Sequence, residues 1–103
     1  MVSIVENKLP EIIQTCKEMH VESLYLFGSG ARGNDFNSTS DLDFIYTSIN
    51  DEEGLPLPPF DYFDLMWKLE KITGKKVDLV TKERIKNRFF LAAVNKEMVK
   101  IYG

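Results

Sequence analysis

Three aspartates and one glycine-serine turn carry the residue types from which phosphate chemistry is built. Asp41 and Asp43 stand one residue apart in the segment Ser40-Asp41-Leu42-Asp43-Phe44-Ile45-Tyr46, where apolar and polar residues alternate as in a strand. On one strand two such side chains leave the same face, with Cα atoms roughly 6–7 Å apart. Carboxylates so placed repel each other and lose solvation unless a cation sits between them. Magnesium suits that position, because it takes oxygen ligands octahedrally and completes its shell with water and phosphate. The spacing is equally that of two hydrated acids at a strand end. Gly28-Ser29-Gly30 directly follows a second alternating segment, and Ala31-Arg32-Gly33 comes next. Glycine there lets the backbone turn sharply and lets a ligand approach the N–H groups, while Ser29 offers a hydroxyl and Arg32 a fork for phosphate. A plain glycine turn reads the same way. Without a following Gly-Lys-Ser/Thr it is no Walker loop, and Gly28, Gly30 and Gly33 lack the strand-helix-strand setting of a dinucleotide fingerprint. Asp78 is the third element. It interrupts Lys76-Val77-Asp78-Leu79-Val80, sharing a face with Val80 while Val77 and Leu79 take the other. Beside the Asp41 strand, it would make a group of three carboxylates able to hold one or two divalent ions.

The elements that must position these residues follow from periodicity and breakers. Leu9, Ile12, Ile13, Cys16 and Met19 form one helical stripe over 8–19, and Pro10 places the helix start near Asn7, a candidate cap. Residues 22–27 and 40–46 alternate as strands, and 47–59 is a loop marked by Asn50, Gly54, Pro56, Pro58 and Pro59. An aromatic-rich helix spans 60–73 and stops at Gly74. Residues 76–80 form a strand, Thr81 to Arg84 a helical turn, 88–97 a helix and 98–102 a terminal strand. The order α, β, β, α, β, α, β predicts an α/β (α+β) domain over 1–103, with helices on a small mixed sheet.

The motifs taken together are more specific than any one of them. Gly-Ser after a strand, eleven residues, Asp-x-Asp in a second strand and one Asp in a third resemble the DNA polymerase β-like nucleotidyltransferase superfamily. Leu26-Phe27-Gly28-Ser29-Gly30-Ala31-Arg32-Gly33, Ser40-Asp41-Leu42-Asp43-Phe44 and Val77-Asp78-Leu79-Val80 are similar to the minimal nucleotidyltransferases, the MNT-type antitoxins of HEPN/MNT toxin–antitoxin modules. The similarity extends from about residue 8 to 102, and Gly30 stands where many relatives carry a larger, often basic, side chain. The resemblance implies the nucleotidyltransferase fold. It implies that Gly28 and Ser29 bind the triphosphate of a nucleotide, with Arg32 steadying the phosphates or the turn. It implies that Asp41, Asp43 and Asp78 are catalytic and hold Mg²⁺, two ions in all, Asp78 helping to activate the attacking hydroxyl. The implied reaction is transfer of AMP from ATP to a tyrosine of a cognate HEPN toxin, a helical partner in a hetero-oligomer. Two other functions are carried: neutralisation of the toxin by binding alone, and transfer to an aminoglycoside-like small molecule with a separate helical subunit.

Composition narrows the class further. The chain is 44% hydrophobic and 28% charged, as an ordinary globule is. No apolar run reaches a membrane span of about 20 residues, and the N-terminus lacks a signal-peptide pattern, which predicts a cytoplasmic protein without a membrane partner. Cys16 is the one cysteine, so an intramolecular disulfide is excluded, and its place in an apolar stripe marks a core residue. His20 reads as a residue of a helix end or turn. Residues 1–67 carry three basic and twelve acidic side chains and residues 68–103 ten basic and four acidic, a split of −9 and +6 within a net −3. The overall acidity argues against tight non-specific nucleic-acid binding. Lys82, Arg84, Lys86 and Arg88 form a solvated face or meet phosphates or an acidic partner. Phe60, Tyr62, Phe63 and Trp67 exceed what one inward stripe needs, so a partner patch competes with core packing.

Overall fold

The protein's structure is a computed structural model that describes residues 1–33, 36–37, 39–85 and 87–103, without the side chains of residues 90, 93 and 94. Lys86, one of the four basic positions named above, lies outside the described residues. The chain runs through α1 (Ser3–Glu6), α2 (Leu9–Glu18), β1 (Val21–Phe27), α3 (Ser29–Arg32), β2 (Leu42–Ser48), α4 (Tyr62–Thr73), β3 (Val77–Thr81), a 3₁₀ turn (Lys82–Arg84), α5 (Arg88–Glu97) and β4 (Val99–Tyr102). The strands form one sheet in the order β3-β2-β1-β4. β1 pairs antiparallel with β2 and β4, whereas β2 and β3 are parallel. The parallel pair needs a crossover between its strands, and α4 supplies it. The mixed α/β architecture expected from sequence is the one observed.

Alternation along β2 sorts its residues by face. Leu42, Phe44 and Tyr46 join Leu24 and Leu26 of β1 in the core, under Ile12 and Cys16 of α2 and Leu65 and Leu69 of α4. Asp43 and Ile45 take the opposite face, where Ile45 is fully buried yet outside that cluster. Its cross-strand partner Tyr25 lies there beneath the ammonium of Lys82, 5.4 Å from the ring centre. Cys16 is a core residue, and burial pushes its thiol up to about 12, which leaves it inert as a nucleophile.

Several boundaries differ from those the pattern predicts. The N-terminal helix begins at Leu9, not at Asn7, with Pro10 in its first turn and Lys8 before it. Asn7 instead closes α1, a four-residue turn too short to show periodicity and anchored by buried Val5. β2 runs on to Ser48, and the loop after it is tied by a bridge between Asn50 and Pro56. His20 occupies the turn after α2 with φ of 58°, a left-handed helix end.

α4 is fixed at both ends by its own sequence. The Asp61 carboxylate accepts from the Asp64 N–H at 2.9 Å, and Gly74 ends the helix at φ 69°. The helix also covers the outer edge of β3. The Tyr62 hydroxyl donates to the Leu79 carbonyl, and the Glu70 carboxylate accepts from the Val77 N–H at 3.1 Å. Because α4 both caps this edge and roofs the core, its N-cap bears on global stability. Asp61→Ala is expected to cost about 1 kcal/mol, read as a lower urea midpoint at unchanged m. An unchanged midpoint would remove the cap from this account.

Candidate active site

The register of β2 and β3 brings the predicted acids together. Asp43 is the direct partner of Asp78 across the parallel ladder, and Phe27, the last residue of β1, is the partner of Asp43 on its other side. Asp41 lies one residue before β2, exposed, because the ladder opens with the Leu42 N–H donating to the Lys76 carbonyl at 2.9 Å. Asp78 is exposed as well, on the face away from buried Val77 and Leu79. An unpaired carboxylate buried in this strand would be costly, and the exposure of Asp78 avoids that cost.

Asp43 is the constrained member. Burial, then the neighbouring charges of Asp78 and Asp41, push its carboxyl above the usual range, and Arg32 pulls the other way. The three aspartates and Arg32 thus share one electrostatic neighbourhood. The turn after β1 closes against it. Gly28 has φ of 69°, a conformation that L side chains rarely adopt, and a Cβ there would lie 2.7 Å from the Asp43 Oδ2. Ser29 and Arg32 belong to α3, which is closed by Ala31 and Arg32 N–H groups donating to the Gly28 carbonyl at 3.1 Å. Gly30 faces inward, where a Cβ would meet Leu42 Cδ2 at 3.1 Å and Leu26 Cδ1 at 3.3 Å. The missing Cβ leaves room for α3 to sit close on the sheet. Gly28, Ser29 and Arg32 therefore stand at the end of β1 beside the acids of β2 and β3.

As donors, the three carboxylates suit a hard divalent cation, whose charge would offset the repulsion that Asp43 registers. Among the described residues, no group of three or more His, Cys, Asp or Glu side chains is already gathered closely enough to hold a metal ion. The set fits the ion in its chemistry, and its side chains would converge on it.

Some neighbours of the site were not singled out by the sequence pattern. Arg32 is held by Glu97 of α5 at 3.1 Å, a pairing across 65 residues that no local spacing signals. A cavity of about 610 Å³ runs along β3 from Asp78, lined by Tyr46, Tyr62, Phe63, Thr81 and Arg84. Tyr62 and Phe63 drew notice as aromatics and Arg84 as a basic residue, but nothing local joined them to Asp78. Of the aromatics at and before α4, Phe60 stacks on Tyr46 of β2 at 5.2 Å between ring centres, while Phe63 and Trp67 are 71% and 54% exposed. Core packing thus accounts for Phe60 and partly for Tyr62, while Phe63 and Trp67 lie outside it.

Comparison with known proteins gives the family of a chain with this fold. Residues 7–103 match the family model described as Polymerase beta, Nucleotidyltransferase, and the chain belongs to that family. A protein of Methanocaldococcus jannaschii named "putative protein adenylyltransferase" is 33% identical over 100 residues, covering 92% of this chain and 96% of its own. A solved structure described as a putative minimal nucleotidyltransferase superposes with a TM-score of 0.72 at 27% identity, covering 96% of this chain and 95% of that one. The fold is also shared by a toxin–antitoxin structure with AMP-PNP, at TM-score 0.63 and 23% identity, covering 95% of this chain and 73% of the other. A tri-AMPylated Shewanella oneidensis HEPN toxin in complex with MNT antitoxin gives TM-score 0.62 at 19% identity, with coverages of 95% and 71%.

The crowding of Asp43 has a measurable sign. The native state holds its proton more tightly than the unfolded chain does. This group's contribution is therefore most favourable below the ordinary carboxylate range and is lost as pH rises through the raised value. Asp43→Asn is expected to raise Tm at pH 7 by a few degrees, roughly 2–5 °C, and to lose that advantage near pH 3, below the ordinary Asp value of about 3.9. A variant less stable than wild type at pH 7 would contradict the crowding.

Proposed function

We propose that this chain is a magnesium-dependent adenylyltransferase that acts as an antitoxin, transferring AMP from ATP to a tyrosine of a HEPN-type helical toxin in a cytoplasmic hetero-oligomer. The observation that carries the reading is the juxtaposition of Asp43 with Asp78 across the ladder and of Gly28 against Asp43. The relatives supply the direction: one is named a protein adenylyltransferase, and another neighbour is an antitoxin beside an AMPylated toxin. No helix among the described residues is long and apolar enough to cross a membrane.

In this reading the Gly28-Ser29 turn holds the β- and γ-phosphates, and Arg32 neutralises part of their charge. Arg32 must then be shared with, or released from, Glu97. Asp41, Asp43 and Asp78 would hold the magnesium, which when bound supplies charge neutralisation at the entering and leaving oxygens. Asp78, at the exposed edge, accepts the proton of the attacking hydroxyl. That oxygen bonds to the α-phosphorus, the bond from the α-phosphorus to the bridging oxygen breaks, and pyrophosphate leaves with the electron pair. The remaining contribution of the chain is positional, because a rigid strand pair fixes the acids against the turn.

Exposed Phe63 and Trp67 favour a second reading, in which the antitoxin neutralises by binding and the transfer is incidental. One experiment separates the two. The protein is incubated with ATP, Mg²⁺ and a co-expressed HEPN-type partner, and the partner is weighed for an adenylyl increment. The Asp41→Asn/Asp43→Asn double variant is expected to transfer about 10²-fold less or worse and to lose protection in cells while still forming the complex. Full protection by the double variant would favour binding alone. Absence of transfer by wild type would overturn the enzymatic reading.

A further inference from the structure

We propose that Glu97 is a positioning residue for nucleotide binding, holding the Arg32 guanidinium beside the Gly28-Ser29 turn before the triphosphate arrives. This rests on the nucleotidyl-transfer reading and adds to it a residue from the far end of the chain. β1 is flanked by β2 on one side and by β4 on the other. The β2 side brings Asp43 opposite Phe27. The β4 side brings Val99 opposite Leu26, two residues before Gly28. Glu97 ends α5 two residues before Val99, so the ladder delivers its carboxylate to the other flank of the turn. There it accepts from Arg32 Nη1 at 3.1 Å. Arg32 is thus drawn from two sides. Asp43 lies in its electrostatic neighbourhood toward β2, and Glu97 holds it toward β4. The C-terminal end of a helix carries partial negative charge, so the end of α5 favours a cation there as well. Removing the Glu97 charge tips that balance toward the aspartates, where the guanidinium would stand in the place of the divalent cation.

The two side chains of the pair are 42% and 48% exposed, so the pair adds little to stability. Its effect falls on binding instead. An arginine side chain is long and rich in rotamers, and fixing it on a phosphate costs entropy at the moment of binding. With Glu97 in place, part of that ordering is already done. A guanidinium carries several N–H donors, so a bond through Nη1 can persist while the group meets a phosphate oxygen. Glu97 also repels the phosphates, but an exposed carboxylate is screened by water and salt. Ordering of Arg32 is therefore the larger of the two effects, and the net sign is tighter binding.

The test compares wild type, Glu97→Gln, Arg32→Gln and the double variant. Kd is measured by calorimetry for the magnesium complex of α,β-methylene-ATP, which cannot be cleaved at the α-phosphorus. Glu97→Gln is expected to raise Kd about three- to tenfold, the scale of immobilising one long side chain. Arg32→Gln is expected to raise it at least as much. In that background Glu97→Gln adds less than about twofold, because its effect runs through Arg32. In transfer assays with a co-expressed HEPN-type partner, Glu97→Gln is expected to raise the KM for ATP by the same factor, with kcat within about twofold of wild type. An unchanged or lower Kd in Glu97→Gln, an equal effect with and without Arg32, or a loss of kcat at unchanged KM would overturn the proposal. If the binding pattern holds but wild type transfers nothing, the catalytic reading fails and the role of Glu97 stands. If wild type binds no nucleotide, both fall.

Discussion

The parallel register of β2 against β3 is the constraint on which the site depends. It sets Asp43 opposite Asp78. A slip of one residue would turn Asp43 inward and push Leu42 or Phe44 out. The register is held from beneath, because Leu42, Phe44, Val77 and Leu79 are buried on the core face. Burial of each large apolar side chain contributes roughly 1.5–3 kcal/mol, far more than mutual repulsion of two partly hydrated carboxylates can remove. Hydrophobic packing on one face thus keeps like charges together on the other.

The same core positions the turn. Gly30 lies close against Leu26 and Leu42, Ala31 belongs to the core cluster, and the Val2 N–H donates to the Gly30 carbonyl at 2.9 Å. α3 therefore has little freedom to withdraw from Asp43. Gly28 completes the arrangement, since its missing Cβ is the space the Asp43 carboxylate occupies. The link to Glu97 is of another kind: an exposed ion pair contributes about 0–1 kcal/mol and can exchange partners.

Most of this order was legible from local spacing. Alternation identified β2 and β3 and put Asp78 on the face away from Val77 and Leu79, and Gly74 marked the end of α4 as predicted. What local spacing left open was set over distance. Whether Asp78 stood beside Asp43 depended on a crossover, and only the family resemblance supplied that pairing in advance. The cavity assembled Tyr46, Tyr62 and Arg84 from three separate elements. α1 escaped notice because four residues carry no period, and its fold comes from burying Val5.

The side chains of α4 that cover β3 have a consequence for how a partner can be read. With the Val77 N–H taken by Glu70 and the Leu79 carbonyl taken by Tyr62, this border is closed to an incoming strand over those two groups. Adding a strand there would first require breaking both bonds, so the border discourages sheet-to-sheet polymerisation of identical chains. A partner meeting this border would be read by side-chain shape and charge, which discriminate, and not by main-chain pairing, which accepts nearly any extended peptide.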